Sequence, residues 1–306
     1  MSRRYGIYAV NVGNSTLLGG ITQQNVSNDE GLGNEARSGE VYPRYTTLRN
    51  QEHKATFTTE DVATLLALAP GGYLDISALT GGVKLFGQAR LAGGTRDPAS
   101  VHVRDAIVQG IFALRQLICP QDGDASLSAE GVAQWNGTDD PIARTINAAV
   151  PTGMVDSGRW GLGKITVAGI LLTYFTNVII DFGITIEPTR KEHEVWPRIV
   201  TISEIKPTIT IRGINLAQMD AAAIPLLGLS GAHANTILYL RRRVQHLTYE
   251  ADAALKHVKV TAYGRVAVNR LQDGSGAGPS EIEIVITCGY DGTNAPLVTA
   301  IDQAIT

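Results

Sequence analysis

WNGTDDPIARTINAAV, from Trp135 to Val150, returns as YDGTNAPLVTAIDQAI, from Tyr290 to Ile305. Both windows read aromatic, Asn or Asp, Gly-Thr, two short residues, Pro, an aliphatic, and then Ile and Ala in step. The offset is 155, close to half of 306 residues. A second pair repeats at 154: YPRYTTLRNQEHKATFTTEDVATLLA from Tyr42 and WPRIVTISEIKPTITIRGINLAQMDA from Trp196. Pro43 matches Pro197, Arg44 matches Arg198, Thr47 matches Thr201, and Gly110 and Gly264 are also 154 apart. One offset that drifts by a single residue across half a chain predicts two homologous units, 1–152 and 153–306. The period is far too long for a solenoid, and each unit is large enough for its own core. The stretch Val150–Gly163, with Pro, Gly and Ser, is the expected linker.

The same coarse pattern can be drawn in each unit. A first strand is expected near Ile7–Val12 in copy one, and apolar strands within Ile165–Phe175 and Val178–Ile186 in copy two. Polar stretches follow, Gln24–Glu40 and Glu187–Glu194, and these read as loops. TITIRGI (Thr208–Ile214) alternates as a strand does. DVATLLALA and NLAQMDAAAIPLL are expected short helices, with Asp61 and Asn215 at equivalent N-cap positions. EIEIVITCGY (Glu281–Tyr290) alternates again. The fold class expected is α+β, mostly β: two tandem β-sandwich or partial-barrel domains, each with one flanking helix. Abundant Gly, Val, Ile and Thr agree with strands and turns.

The repeated Asn136-Gly137 and Asp291-Gly292 are tight-turn dipeptides, because Gly takes positive φ without steric cost. Pro141 and Pro296 then end any strand. Two uses are open for this turn: a fold element that both copies need, and a closing segment that packs on a neighbouring unit.

Chemistry is sparse. The histidines, at positions 53, 102, 193, 233, 246 and 257, form no metal-binding spacing, and read as structural. Cys119 and Cys288 occupy unmatched places and read as two isolated thiols of a reducing compartment. GLGNEA and GLGKIT complete no phosphate-binding motif, and GxSxG is absent. DGSGAG (Asp273–Gly278) reads as a hairpin loop. Asp139-Asp140 has only Asn294-Ala295 opposite it in copy two, so a catalytic pair is not expected. Arg241, Arg242 and Arg243 are expected to face solvent or acids of a neighbouring subunit. With a net charge of −3, nothing suggests a basic groove for nucleic acid.

The N-terminal stretch is a poor signal peptide. The apolar run Ile165–Ile184 holds Asn177 and Asp181 and is rich in β-branched residues. Two buried strands suit it better than a membrane helix. The three Asn-x-Ser/Thr matches are then chance, and synthesis in the cytoplasm is expected.

KATFTTEDVATLLALA and TITIRGINLAQMDAAAIP, with the turns WNGTDDP and YDGTNAP, resemble the tail-tube protein of long-tailed bacteriophages. In that family six single-domain subunits form a ring, rings stack into a hollow tube, and the tube conducts the genome. Some relatives fuse two domains, so that three chains make a pseudo-hexameric ring. The resemblance implies a non-enzymatic virion protein without cofactor or metal. Its partners would be copies of itself, other phage tail proteins, and double-stranded DNA passing without specific binding. Contacts between stacked rings would fall in the polar stretches, at Asn28, Asp29, Glu30, Glu35, Arg37, Glu40, Arg190, Lys191 and Glu192, and Arg241–Arg243 would serve a subunit interface. Rival readings are a distal-tail, baseplate hub or terminator protein on the same fold, or a duplicated-domain ligand binder with a pocket between the copies.

Overall fold

The computed structural model describes residues 4–14, 16–35, 38, 42, 45–91, 94–97, 101–151, 158–213, 233–245, 248–272 and 281–306. The first half runs β1 (Arg4–Val12), β2 (Thr16–Leu18), β3 (Ile21–Glu35), β4 (Tyr45–Thr59), α1 (Val62–Leu68), β5 (Tyr73–Asp75), β6 (Val83–Arg90), β7 (His102–Ile107), β8 (Gly110–Pro120), β9 (Ser126–Ala133) and β10 (Ile142–Ala148). The second runs β11 (Arg159–Val167), β12 (Ile170–Leu172), β13 (Phe175–Asp181), β14 (Ile184–Thr189), β15 (Ile199–Ile205), β16 (Thr208–Gly213), β17 (His233–Gln245), β18 (Thr248–Tyr249), β19 (His257–Gln272), β20 (Glu281–Cys288) and β21 (Leu297–Gln303).

The architecture is mostly β, as the alternating segments predict, with one helix among the described residues and no closed barrel. A five-stranded antiparallel sheet, β10-β7-β6-β1-β2, covers the first half. A 14-stranded sheet runs through both halves in the order β12-β11-β17-β19-β20-β16-β13-β8-β9-β4-β3. β19 belongs to two layers. Its first part pairs with β17 and β21, and its last part pairs with β20.

Pairing in one half is repeated in the other at the sequence offset. Val10↔Leu18 returns as Ile165↔Leu172, and Ile142↔Ile107 as Leu297↔Ala262. Lys54↔Val132 returns as Thr208↔Thr287. The irregularities recur too. The register shift on β8 between Leu114 and Leu117 has its counterpart on β19 between Val268 and Arg270. Asn147 at φ 66° has its counterpart in Asp302 at φ 55°. A bulge inserts a residue and bends its strand, so matched bulges give the two halves matched strand paths.

The strands bury alternate residues into one contiguous core. Val62, Leu65 and Leu66 of α1 join Leu85, Ile107, Phe57 and Leu117, and in the second half Ile165, Leu238 and Val260 join Ile180, Ile209 and Ile284. Each such side chain taken out of water contributes roughly 1.5–3 kcal/mol.

Several expectations need correction. Gln24–Glu40 is not a loop over most of its length, since Ile21–Glu35 is β3, paired with β4. Its polar side chains hide the period of two, because backbone pairing and cross-strand contacts such as Lys54–Asp29 at 2.9 Å hold it. Likewise Ile184–Thr189 is β14, which leaves Arg190–Glu194 as the start of the turn. The apolar run Ile165–Ile184 covers parts of four strands rather than two. Asp61 sits at the N-cap of α1 but makes no side-chain capping bond; its N–H donates to Thr59 Oγ1 at 2.9 Å. The expected second helix, from Asn215, and the loop Asp273–Gly278 lie outside the described residues, as do 152–157 of the expected linker. Among the described residues no helix is long and apolar enough to cross a membrane.

Candidate assembly interface

The two halves are joined by a strand seam. β8 of the first half pairs antiparallel with β13 of the second, from Asn177↔Pro120 to Asp181↔Gln116. Leu117, Cys119, Val178 and Ile180 are fully buried along it. Backbone bonds extend it at both ends: Gln121 N–H to the Thr176 carbonyl at 2.9 Å, and Phe182 N–H to the Arg115 carbonyl at 3.0 Å.

Beyond the ladder, the tip of the β14–β15 hairpin reaches over the first half. Gln51 N–H donates to the Val195 carbonyl at 3.0 Å, and Trp196 Nε1 donates to Gln51 Oε1 at 2.8 Å. Trp196 meets Trp135 edge to face, with centroids 5.3 Å apart, and the Arg198 guanidinium lies 5.2 Å over the Trp135 ring. Trp135 N–H donates to the Pro197 carbonyl at 2.8 Å. The repeated windows WPR and WNGT therefore meet each other. Edge-on aromatic pairs and cations over indole faces each contribute roughly 0.5–1.5 kcal/mol.

A third contact lies at the far side of the seam. Trp160 is 2% exposed, and its carbonyl accepts from Ala125 N–H at 2.7 Å. Arg243 donates to the Gly123 carbonyl and pairs with Asp124, both at 3.1 Å. Arg159 pairs with Glu60 at 2.8 Å.

Few of the site residues expected from sequence come together. Asn28 Nδ2 donates to Glu30 Oε1 at 2.7 Å, and Asp29 pairs with Lys54. Glu35 ends β3, while Arg37 and Glu40 lie outside the described residues. Arg190 belongs to the seam, 3.4 Å from Glu52, whereas Lys191 and Glu192 are exposed in the hairpin turn. The arginine triplet is engaged within the chain. Arg241 pairs with Asp252 at 2.7 Å, Arg242 lies opposite Trp160 in the ladder, and Arg243 is in the seam. Sequence reasoning missed the tryptophans, although both repeated windows open on an aromatic residue.

The repeated turns act as local clamps. Asn136 Oδ1 accepts from the Thr138 and Asp139 amides at 2.8 Å, and Asp291 Oδ1 from Thr293 at 2.9 Å and Asn294 at 2.6 Å. The Asn294 amide above all holds the Asp291 carboxyl far below the usual carboxylate range.

Each half uses one face in the seam and leaves the other open. The first half supplies the β8 edge and Trp135. Its own counterpart of β13 is β3, an edge strand with nothing paired outside it among the described residues. The second half supplies β13, and its counterpart of β8 is the last part of β19, whose residues from Val266 to Gln272 pair, among the described residues, with β20 alone. The aromatic counterparts stand exposed: Tyr5 (for Trp160) at 50%, Tyr42 (for Trp196) at 83% and Tyr290 (for Trp135) at 69%.

An apolar cavity of about 220 Å³ also lies where the halves meet, lined by Gly72, Phe182, Ile184, Pro207 and Leu297 among others. It has no titratable group in its wall. Among the described residues no three His, Cys, Asp or Glu side chains are grouped to hold a metal ion. No family model and no curated protein matches the chain.

Proposed function

We propose that this chain is a structural virion protein, a subunit of a bacteriophage tail tube made in the host cytoplasm, three copies closing a pseudo-hexameric ring and rings stacking into a conduit for the genome. The observation that carries the reading is the head-to-tail seam. It joins two equivalent units by unlike faces, β8 to β13, and leaves the matching pair of unlike faces, β3 and β19, at the two ends. Unlike faces generate a ring if the rotation closes. They also cover sheet edges that would otherwise invite aggregation.

The outer face of the long sheet suits passage of DNA. Thr56, Thr58, Ser126, Ser128, Thr208 and Thr210 alternate with the buried residues there. Two of its cations are paired in place, Arg115 with Glu130 at 3.0 Å and Arg212 with Glu283 at 2.9 Å. Hydroxyls and ion-paired arginines do not grip phosphates as free lysine and arginine do. Partners in this reading are copies of the chain, other tail proteins and double-stranded DNA in transit.

Negative-stain electron microscopy over a range of concentrations tests it. Hollow tubes, or rings of three chains with a near-sixfold outline, are expected. One discrete ring that never stacks would instead favour a distal-tail, hub or terminator protein. Particles of one chain at every concentration, with a tail extract as seed, would remove the tube reading.

A further inference from the structure

Three aromatic positions are covered at the seam, and all three are aromatic but uncovered at the open ends. Trp160 is 2% exposed against 50% for Tyr5, and Trp135 and Trp196 are half-buried against 69% and 83% for Tyr290 and Tyr42. Arg243, bonded in the seam, has an exposed counterpart in Arg90, as Arg159↔Arg243 and Arg4↔Arg90 are the same step of their ladders. Tyr5 and Tyr42 lie on the β3 end of the chain and Tyr290 on the β19 end. That is the division of faces needed for one end to cover the other.

We propose that a second copy of this chain docks on the first by repeating the seam, with the Tyr42 hairpin of one chain reaching over its neighbour and setting its ring against that neighbour's Tyr290. The inference rests on the ring reading above and names the contact that closes it. Strand register follows from the internal ladder. Ile179↔Ile118, Ile180↔Leu117 and Asp181↔Gln116 become Asn25↔Gln272, Val26↔Leu271 and Ser27↔Arg270 between chains. Arg44 takes the sequence place of Arg198.

The copy is not perfect, and the difference has a consequence. Phe182 and Ile184, each 3% exposed, are replaced at the open end by Asn28 and Glu30. The contact between chains therefore buries less apolar surface than the seam and is the weaker of the two. Each chain folds with its seam made, and chains associate as concentration rises. The same equivalence puts Asn28 and Glu30 on the side of the ring subunit.

Thiol cross-linking tests the pairing directly, since Cys119 and Cys288 are both buried and leave introduced thiols as the reactive ones. Tyr42→Cys and Tyr290→Cys variants, mixed and treated with a short bis-maleimide, are expected to give a covalent dimer that neither variant gives alone. A chain carrying both substitutions should give a ladder ending at three chains. Sedimentation should show Tyr42→Ala and Tyr290→Ala weakening self-association at least tenfold, and Tyr42→Phe leaving it within about twofold. Cross-linking of one variant with itself would mean a two-fold contact and overturn the proposal. Rings that form without the mixed cross-link, and with undiminished Tyr42→Ala association, would overturn the pairing while sparing the ring reading. A parent chain that never self-associates would overturn both.

Discussion

His102 and His257, 155 residues apart, hold the same bond: each Nδ1 accepts a backbone N–H, from Ala89 at 3.0 Å and from Arg242 at 3.2 Å. Both residues are buried, at 1% and 0% exposure. For His102, accepting at Nδ1 requires a neutral ring with its proton on Nε2. Burial first, and then nearby Arg96, pushes the His102 pKa below its usual value of 6.5, and Asp97 opposes this only in part. The unfolded chain therefore binds this proton more readily than the folded one. The contribution of His102 is complete above about pH 6.5 and is lost as pH falls through the folded value. Thermal unfolding measured from pH 7.5 to 5 should show a falling midpoint, and His102→Gln should reduce that slope. Equal slopes would mean that His102 is not the titrating group.

The two cysteines should be inert in the folded chain. Burial drives the Cys119 thiol far above its usual range and pushes Cys288 up to about 12. The thiolate is the reactive form, so both should resist a maleimide at pH 8 and react fully in strong denaturant. Native labelling of Cys119 at a free-thiol rate would show that the seam opens, because Cys119 lies opposite Val178 there.

The repeat made the doubled strand pattern legible, since Thr208–Gly213 and Glu281–Cys288 alternate cleanly about one buried face. It could not reveal β3. Gln24, Asn25, Ser27 and Asn28 carry no apolar period, and that strand is specified by the partner it pairs with. Nor did it point to the seam. Trp135 and Trp196 each open a repeated window, and their meeting depends on β8 pairing with β13, a contact between strands far apart in sequence. The arginine triplet drew attention as charge, yet Arg243 bonds to a loop 120 residues away.

The seam should make the halves unfold together. Leu117 and Ile180 face each other across it, both with no exposure, inside one contiguous core. Leu117→Ala should cost about 2–5 kcal/mol, as large-to-small core changes do, and it should lower a single transition. Calorimetry of the parent is expected to give one peak. Two separate peaks, with only one moved by Leu117→Ala, would mean that the halves are stable apart.

Gly137 and Gly292 share a backbone conformation, at φ 98° and 95°, but not their surroundings. A Cβ on Gly137 would lie 2.2 Å from an Arg198 guanidinium nitrogen, while one on Gly292 meets nothing within 4 Å. Alanine pays a left-handed penalty at either position, roughly 1–2 kcal/mol. Gly137→Ala must also push Arg198 off the Trp135 ring, losing about 0.5–1 kcal/mol more. Folding stability measured by denaturant should thus fall further for Gly137→Ala than for Gly292→Ala. Self-association should reverse that order. If Tyr290 is covered between chains as Trp135 is within one, the Asp291-Gly292 turn lies in that contact, and the added methyl group obstructs it. Gly292→Ala should then weaken association by sedimentation at protein concentrations where it remains fully folded. Association equal to that of the parent would place the contact between chains away from the Asp291-Gly292 turn.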